Sequence, residues 1–206
     1  MRRLAIATCI VLLLSPVGGQ AQLRGHGGPV RALAISPDGA TAISGSFDAT
    51  AIVWSLARNA AEQVLRFHDG AVNAAVMLGK GRAATGGEDG RIALWRFGSE
   101  QPDAVLTGHS APVVDLAVSP DGSSIASASW DHTARVWPLG GGTPRVLEGH
   151  QQNVNGVAFT PDGRSLVTAG YDATLQIAPL SGGAPVVTTL PTPPRARSGS
   201  RRRSPR

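Results

Sequence analysis

Apolar and polar positions along residues 30–66 fall into short runs broken by turn residues. Val30-Arg-Ala-Leu-Ala-Ile35 leads into Ser36-Pro-Asp-Gly39, and Thr41-Ala-Ile-Ser-Gly-Ser46 leads into Phe47-Asp48-Ala49. Thr50-Ala-Ile-Val-Trp-Ser55 follows, and an edge-like run at Glu62–Arg66 closes the set. Alternation with turn signals every 8–12 residues predicts β-strands, four to a set. Pro-Asp-Gly recurs at 37–39, 120–122 and 161–163. In such a turn proline pre-sets one dihedral and glycine accepts a positive φ. Gly79-Lys80-Gly81 stands at the same reversal in the second copy.

The set repeats. His26, His68, His109 and His150 are 42, 41 and 41 residues apart, and Asp48, Asp89, Asp131 and Asp172 follow them at offsets of 22, 21, 22 and 22. Four residues before each aspartate stands a hydroxyl: Ser44, Thr85, Ser127 and Thr168. Six residues after it stand Trp54, Trp95, Trp137 and, breaking the pattern, Ala178. Drift does not hold four positions in step across four copies, so the period predicts a repeat architecture. Sixteen strands in four sets of four follow from the count.

These residues resemble the WD40 repeat family. Gly25-His26, Gly108-His109 and Gly149-His150 match its Gly-His element, and Phe67-His68 matches only the histidine. Val53-Trp54, Leu94-Trp95 and Val136-Trp137 match its Trp-Asp end, with Ser55, Arg96 and Pro138 in place of the final aspartate. The resemblance spans about residues 22–190 and implies an all-β fold of four four-stranded propeller blades, near 22–66, 67–107, 108–148 and 149–190. It also implies a hydrogen-bonded quartet inside each blade: His26–Ser44–Asp48–Trp54, His68–Thr85–Asp89–Trp95 and His109–Ser127–Asp131–Trp137. The fourth set, His150–Thr168–Asp172, lacks the indole, so its blade is expected to be the loosest. Such a set makes physical sense unaided, because an unpaired buried polar group costs about 1–3 kcal/mol.

Composition changes the picture at the two ends. Arg2 and Arg3 precede an apolar run from Leu4 to Leu14, and small residues precede a cut after Ala21. This is the layout of a secretory signal over residues 1–21, with an apolar run too short for a membrane anchor. Cys9 is the only cysteine and lies within it. The remaining chain would then have no disulfide, no thiolate metal site and no attached c-type haem. The net charge of +5 misleads, because residues 191–206 hold six arginines (195, 197, 201, 202, 203 and 206) and no acid. Residues 22–190 carry 11 basic against 14 acidic side chains, a net of −3. The basic character therefore belongs to a tail and does not mark a nucleic-acid-binding domain. That tail is low-complexity and expected to be disordered. Its abrupt Arg/Ser/Pro composition is what a shifted reading frame in a GC-rich gene would produce; the other reading is an anion- or RNA-binding arm.

Histidine, aspartate and serine together invite a catalytic triad, but a nucleophile is needed once and the trio occurs four times. Polar satisfaction accounts for it, so no catalytic, metal or cofactor site is expected. Isolated turn acids such as Glu88 and Asp89 lack calcium-loop spacing, and His132 reads as an exposed turn residue. Phe47, Trp130 and Tyr171 occupy the position before the turn aspartate in three copies. They read equally as binding anchors on one rim and as packing against neighbouring blades.

Propeller blades cover one another's apolar faces and hide the last two by closing. Four WD blades are expected to leave an open arc: a piece of a longer propeller, an arc that pairs with a second copy, or a compact four-blade ring. The expected function is an exported, periplasmic or secreted, non-catalytic scaffold for a protein partner. The alternative is a truncated relative of exported proteins in which WD blades precede a c-type cytochrome; the chain looks like the front part of such proteins but has no Cys-x-x-Cys-His motif.

Overall fold

The computed structural model describes residues 23–79 and 81–189. The leader read over residues 1–21, Lys80 of the second-copy turn and the tail at 191–206 lie outside them.

The chain forms four antiparallel four-stranded sheets, each a meander in chain order. The first comprises β1 (Val30–Ile35), β2 (Thr41–Ser46), β3 (Thr50–Ser55) and β4 (Ala60–Arg66). The second comprises β5 (Val72–Gly79), β6 (Arg82–Gly87), β7 (Ile92–Arg96) and β8 (Ala104–Leu106). The third comprises β9 (Val113–Val118), β10 (Ser124–Ser129), β11 (Ala134–Pro138) and β12 (Arg145–Leu147). The fourth comprises β13 (Val154–Phe159), β14 (Ser165–Gly170), β15 (Thr174–Pro179) and β16 (Val186–Thr189). The strand expected at Glu62–Arg66 begins earlier, at Ala60, because Ala60 and Ala61 pair with Ser55 and Trp54 across a register shift. Two alanines carry no alternation that could have marked it. Among the described residues no helix is long and apolar enough to cross a membrane.

Register sorts the side chains into two faces, since directly opposed residues point the same way. In the first sheet Ile43 pairs with Val53 on one face, while Ser44 pairs with Leu33 and Ile52 on the other. The face bearing Ile43 and Val53 packs on Ala83, Ala93 and Trp95 of the second sheet. Ala84 and Leu94 of the second pack likewise on Leu116, Ile125 and Trp137 of the third. Ala126 and Val136 of the third then pack on Val157 and Leu166 of the fourth. At each of these three junctions the back face of one sheet meets the front face of the next, and the front face carries the indole in the first three sheets.

The junctions are close. A Cβ placed on Gly45 would lie 2.6 Å from Val72 Cγ1 of the next sheet, and one on Gly86 would lie 2.6 Å from Val113 Cγ1. Only glycine admits the neighbouring inner strand at that distance. The third junction accommodates Ala128, which is fully buried, as is Val154.

The two ends of the row remain uncovered among the described residues. Val30 is 57% exposed, whereas its counterparts Val72, Val113 and Val154 are 1%, 0% and 0% exposed. Leu33 is 66% exposed against 6% for Leu116. Of the apolar side chains on that front face, Ala42, Ile52 and Trp54 are buried, with Leu23 packed against them. At the far end Ile177, on the back face of the fourth sheet, is 40% exposed, while Val53 and Leu94 at the same position are 1% and 5% exposed.

Candidate functional site: buried quartets and a turn rim

The hairpin turn between the second and third strands carries the aspartate, and the segment entering each sheet carries the histidine. Meandering strands bring the two together beside the hydroxyl of the second strand. In the third sheet His109 Nδ1 lies 2.7 Å from Asp131 Oδ2, and His109 Nε2 lies 2.7 Å from Ser127 Oγ. Trp137 Nε1–H donates to the same Ser127 oxygen at 2.8 Å. The first sheet repeats this at 3.1 Å (His26–Asp48), 2.7 Å (His26–Ser44) and 2.7 Å (Trp54–Ser44). The second repeats it at 3.1 Å (His68–Asp89), 2.9 Å (His68–Thr85) and 2.9 Å (Trp95–Thr85). In the fourth, His150 meets Asp172 at 3.1 Å and Thr168 at 2.9 Å. There the indole's place is taken by Ala178, which pairs with Leu166, and a cleft of about 170 Å³ opens between Thr168, Gln176, Ala178 and Pro185.

One proton arrangement satisfies each complete quartet. Indole can only donate, so the hydroxyl accepts from it and donates its own proton to Nε2 of a neutral imidazole, whose Nδ1–H then donates to the carboxylate. Burial pushes the His68 and His109 imidazoles below their ordinary value, against the opposing pull of Asp89 and Asp131. Burial alone would raise the Asp131 carboxyl, but hydrogen bonds from Thr133 and His109 and the Thr133 N–H outweigh it and hold it low. Asp48 and Asp172 are held low by corresponding donors.

Those donors include a residue type missing from the expected quartets. Thr50, Thr133 and Thr174, two residues after the aspartate, each donate a hydroxyl to it at 2.6–2.7 Å. Arg91 takes the place in the second sheet, its Nε–H 2.9 Å from Asp89. The same 41-residue step that exposed the histidines carries this threonine, so it was open to detection. Ser44, Thr85, Ser127 and Thr168 are all buried, and in three sheets the oxygen is already engaged by both imidazole and indole. In those three sheets both neighbours of the hydroxyl are in place, and the arrangement pins turn to strand.

The three rim aromatics are exposed: Phe47 54%, Trp130 42% and Tyr171 73%. Phe47 and Trp130 line a common cleft of about 170 Å³ with Arg31, Asn73, Glu88 and Pro112; Tyr171 stands apart from it. The Arg31 guanidinium lies over the Phe47 ring at 5.6 Å. Trp130 leans on the next sheet, its indole N–H 3.2 Å from Asn155 Oδ1. His132 is an exposed turn residue in the left-handed region, at φ 70°.

The profile of the WD domain, G-beta repeat, matches residues 19–55, 100–138 and 141–177, more than half of the chain. The chain belongs to the WD-repeat family. The second blade lies between the matched segments; it is the copy without the Gly-His and Pro-Asp-Gly elements, yet it carries a complete quartet. The chain is 32% identical over 128 residues to the ribosome biogenesis protein YTM1 of Candida glabrata, covering 52% of this chain and 28% of that protein. It is 33% identical over 123 residues to the mouse guanine nucleotide-binding protein subunit beta-like protein 1, covering 58% and 37%. With human coronin-7 it shares 40% over 73 residues, covering 32% and 8%. The chain thus spans well under half the length of these relatives, all of them eukaryotic. WD repeats serve as protein-interaction scaffolds, and that broad role attaches to this chain.

Proposed function

We propose that this chain is a non-catalytic scaffold of an exported compartment, binding a protein partner through the turn rim of its first three blades. The observation that carries the reading is the cleft between Phe47 and Trp130. Two large exposed aromatics converge there with a cation, Arg31, and a carboxylate, Glu88. Aromatic and arginine side chains on a rigid frame are the usual anchors of protein interfaces. The frame is rigid because every turn that carries a rim residue is tied by its aspartate to the buried histidine beneath. Phe47→Ala with Trp130→Ala should keep the protein folded, at a small cost for the lost Trp130–Asn155 contact, and lower partner capture from an exported-fraction extract at least tenfold. Equal capture by the double variant would refute the rim as the binding face.

Export is supported by the layout of residues 1–21, and amino-terminal sequencing of the mature protein should begin at Gln22. A second reading, a relative of WD–cytochrome proteins without the haem domain, draws on the change of composition after Leu190. Sequencing the gene past codon 194 for Cys-x-x-Cys-His in another frame tests it.

A further inference from the structure

The same junction is built three times within the chain: the back face of one sheet seats on the front face of the next. Its parts recur. A valine of the inner strand enters beside a small residue of the preceding sheet, Val72 on Gly45, Val113 on Gly86 and Val154 beside Ala128. An aliphatic pair on the back face, Ile43 with Val53 or Ala84 with Leu94, meets the front-face indole of the next sheet.

Each copy of the chain also carries both halves of this junction unpaired among the described residues. The first sheet offers Val30, Leu33 and Ile35, all exposed on its front face, beside a Trp54 that is covered only by the entering segment at Leu23 among the described residues. A cleft of about 460 Å³ lies there between Leu23, Val30, Leu33 and Trp54, where an internal junction would hold the preceding sheet's side chains. The fourth sheet offers Ala169 at the small-residue position and Val167 paired with Ile177 at the aliphatic position. Ala169 is the same size as Ala128, which already admits a buried valine.

We propose that the back face of the fourth sheet in one copy seats on the front face of the first sheet in a second copy, so that two chains close head to tail. Unlike faces meet, so the contact is heterologous, and such contacts close into rings when the rotation permits. Two sets of four sheets make a ring of eight, within the range of about four to eight blades that propellers span. Val30 then enters beside Ala169, and Trp54 covers Val167 and Ile177. Position 186 is a valine where Gln63 and Arg145 hydrogen-bond across the internal junctions, so this junction relies on apolar contact at its outer strand, as the second internal junction does at Ala104. The pairing is independent of the turn rim.

Internal geometry supplies the test. Val72 Cβ and Val113 Cβ lie 3.0 and 3.2 Å from the Cβ positions of Gly45 and Gly86, close enough to the roughly 3.5–4.5 Å of a disulfide for paired cysteines to bridge. In the full chain carrying Cys9→Ser, the Val30→Cys variant is mixed with the Ala169→Cys variant under mild oxidation. A disulfide-linked dimer should form from the mixture and from neither variant alone. Light scattering of the unmodified chain should give twice the single-chain mass, and Val30→Asp, at an exposed site, should return it to the single-chain value. Four results would overturn the proposal: a single-chain mass for the unmodified protein, open-ended polymers, a covalent dimer from Val30→Cys alone, or an intramolecular bridge in the Val30→Cys/Ala169→Cys double variant.

Discussion

The third and fourth blades carry the same histidine, hydroxyl and carboxylate, and they differ at one ring. In the third, Trp137 fills the space against Ala84, Ile92 and Leu94 and caps the Ser127 oxygen. In the fourth, Ala178 leaves the Thr168 hydroxyl, among the described residues, bonded to His150 and without an indole, beside an open cleft. The polar chain from imidazole to carboxylate survives the loss of the indole with similar distances. Pinning of the turn and packing against the neighbour are therefore separable duties, and the indole belongs to the second.

Several substitutions bear on that division. Trp137→Ala should cost about 3–5 kcal/mol of unfolding free energy, read from urea denaturation, because it empties a packed junction between two sheets. A cost under about 1 kcal/mol would mean that the ring is dispensable in the third blade as well. Ser127→Ala strips partners from both imidazole and indole, whereas Thr168→Val strips one. At about 1–3 kcal/mol for each buried group left unpaired, the first should cost about twice the second. Acid should act on the quartets through their histidines. An unfolded imidazole takes a proton near its ordinary 6.5, while the buried His68 and His109 take theirs only at lower pH. The unfolded state therefore binds more protons below that point, and stability should fall as pH drops from 7 toward 5. A urea midpoint that is flat across that interval would contradict neutral, buried imidazoles.

Smaller gains are expected from repair. Ala178→Trp should raise stability by about 1 kcal/mol by giving Thr168 an indole N–H to accept. An unchanged melting temperature would show that the fourth blade has repacked around its alanine. His132→Gly relieves a left-handed backbone and should add about 0.5–1 kcal/mol, the smallest change of the set.

The division between what repeats and what does not also explains how much could be read from the chain. Histidine, hydroxyl, aspartate and tryptophan stand out because four copies report the same position, and with them come the sixteen strands and the placement of Phe47, Trp130 and Tyr171 on turns. Contacts made once leave no such trace. The cleft shared by Phe47 and Trp130 depends on how three blades lie side by side, which no single repeat encodes, and Tyr171 falls outside it for the same reason. Gln63, whose amide bridges to Ser99 and Gly98 of the next blade, looks like any polar residue on an edge strand. The threonine two residues after the turn aspartate repeats in three of the four copies, but a hydroxyl beside a carboxylate is common enough in turns to pass unnoticed.

Asp115 is another such single residue. Its Oδ2 accepts the Val157 N–H of the adjoining inner strand at 2.9 Å. Burial pushes its carboxyl above the ordinary value, against the opposing effect of the Val157 and Leu116 N–H groups. At the opposite edge of the same joint, the Arg145 guanidinium donates to the Pro179 and Leu180 carbonyls at 2.7 and 3.0 Å. The joint that lost its indole is therefore fastened at both radii by directional bonds. Two fixed points at different distances from the axis define an angle, so the curvature of the arc at this hinge is set by bond geometry more than by the volume of what lies between.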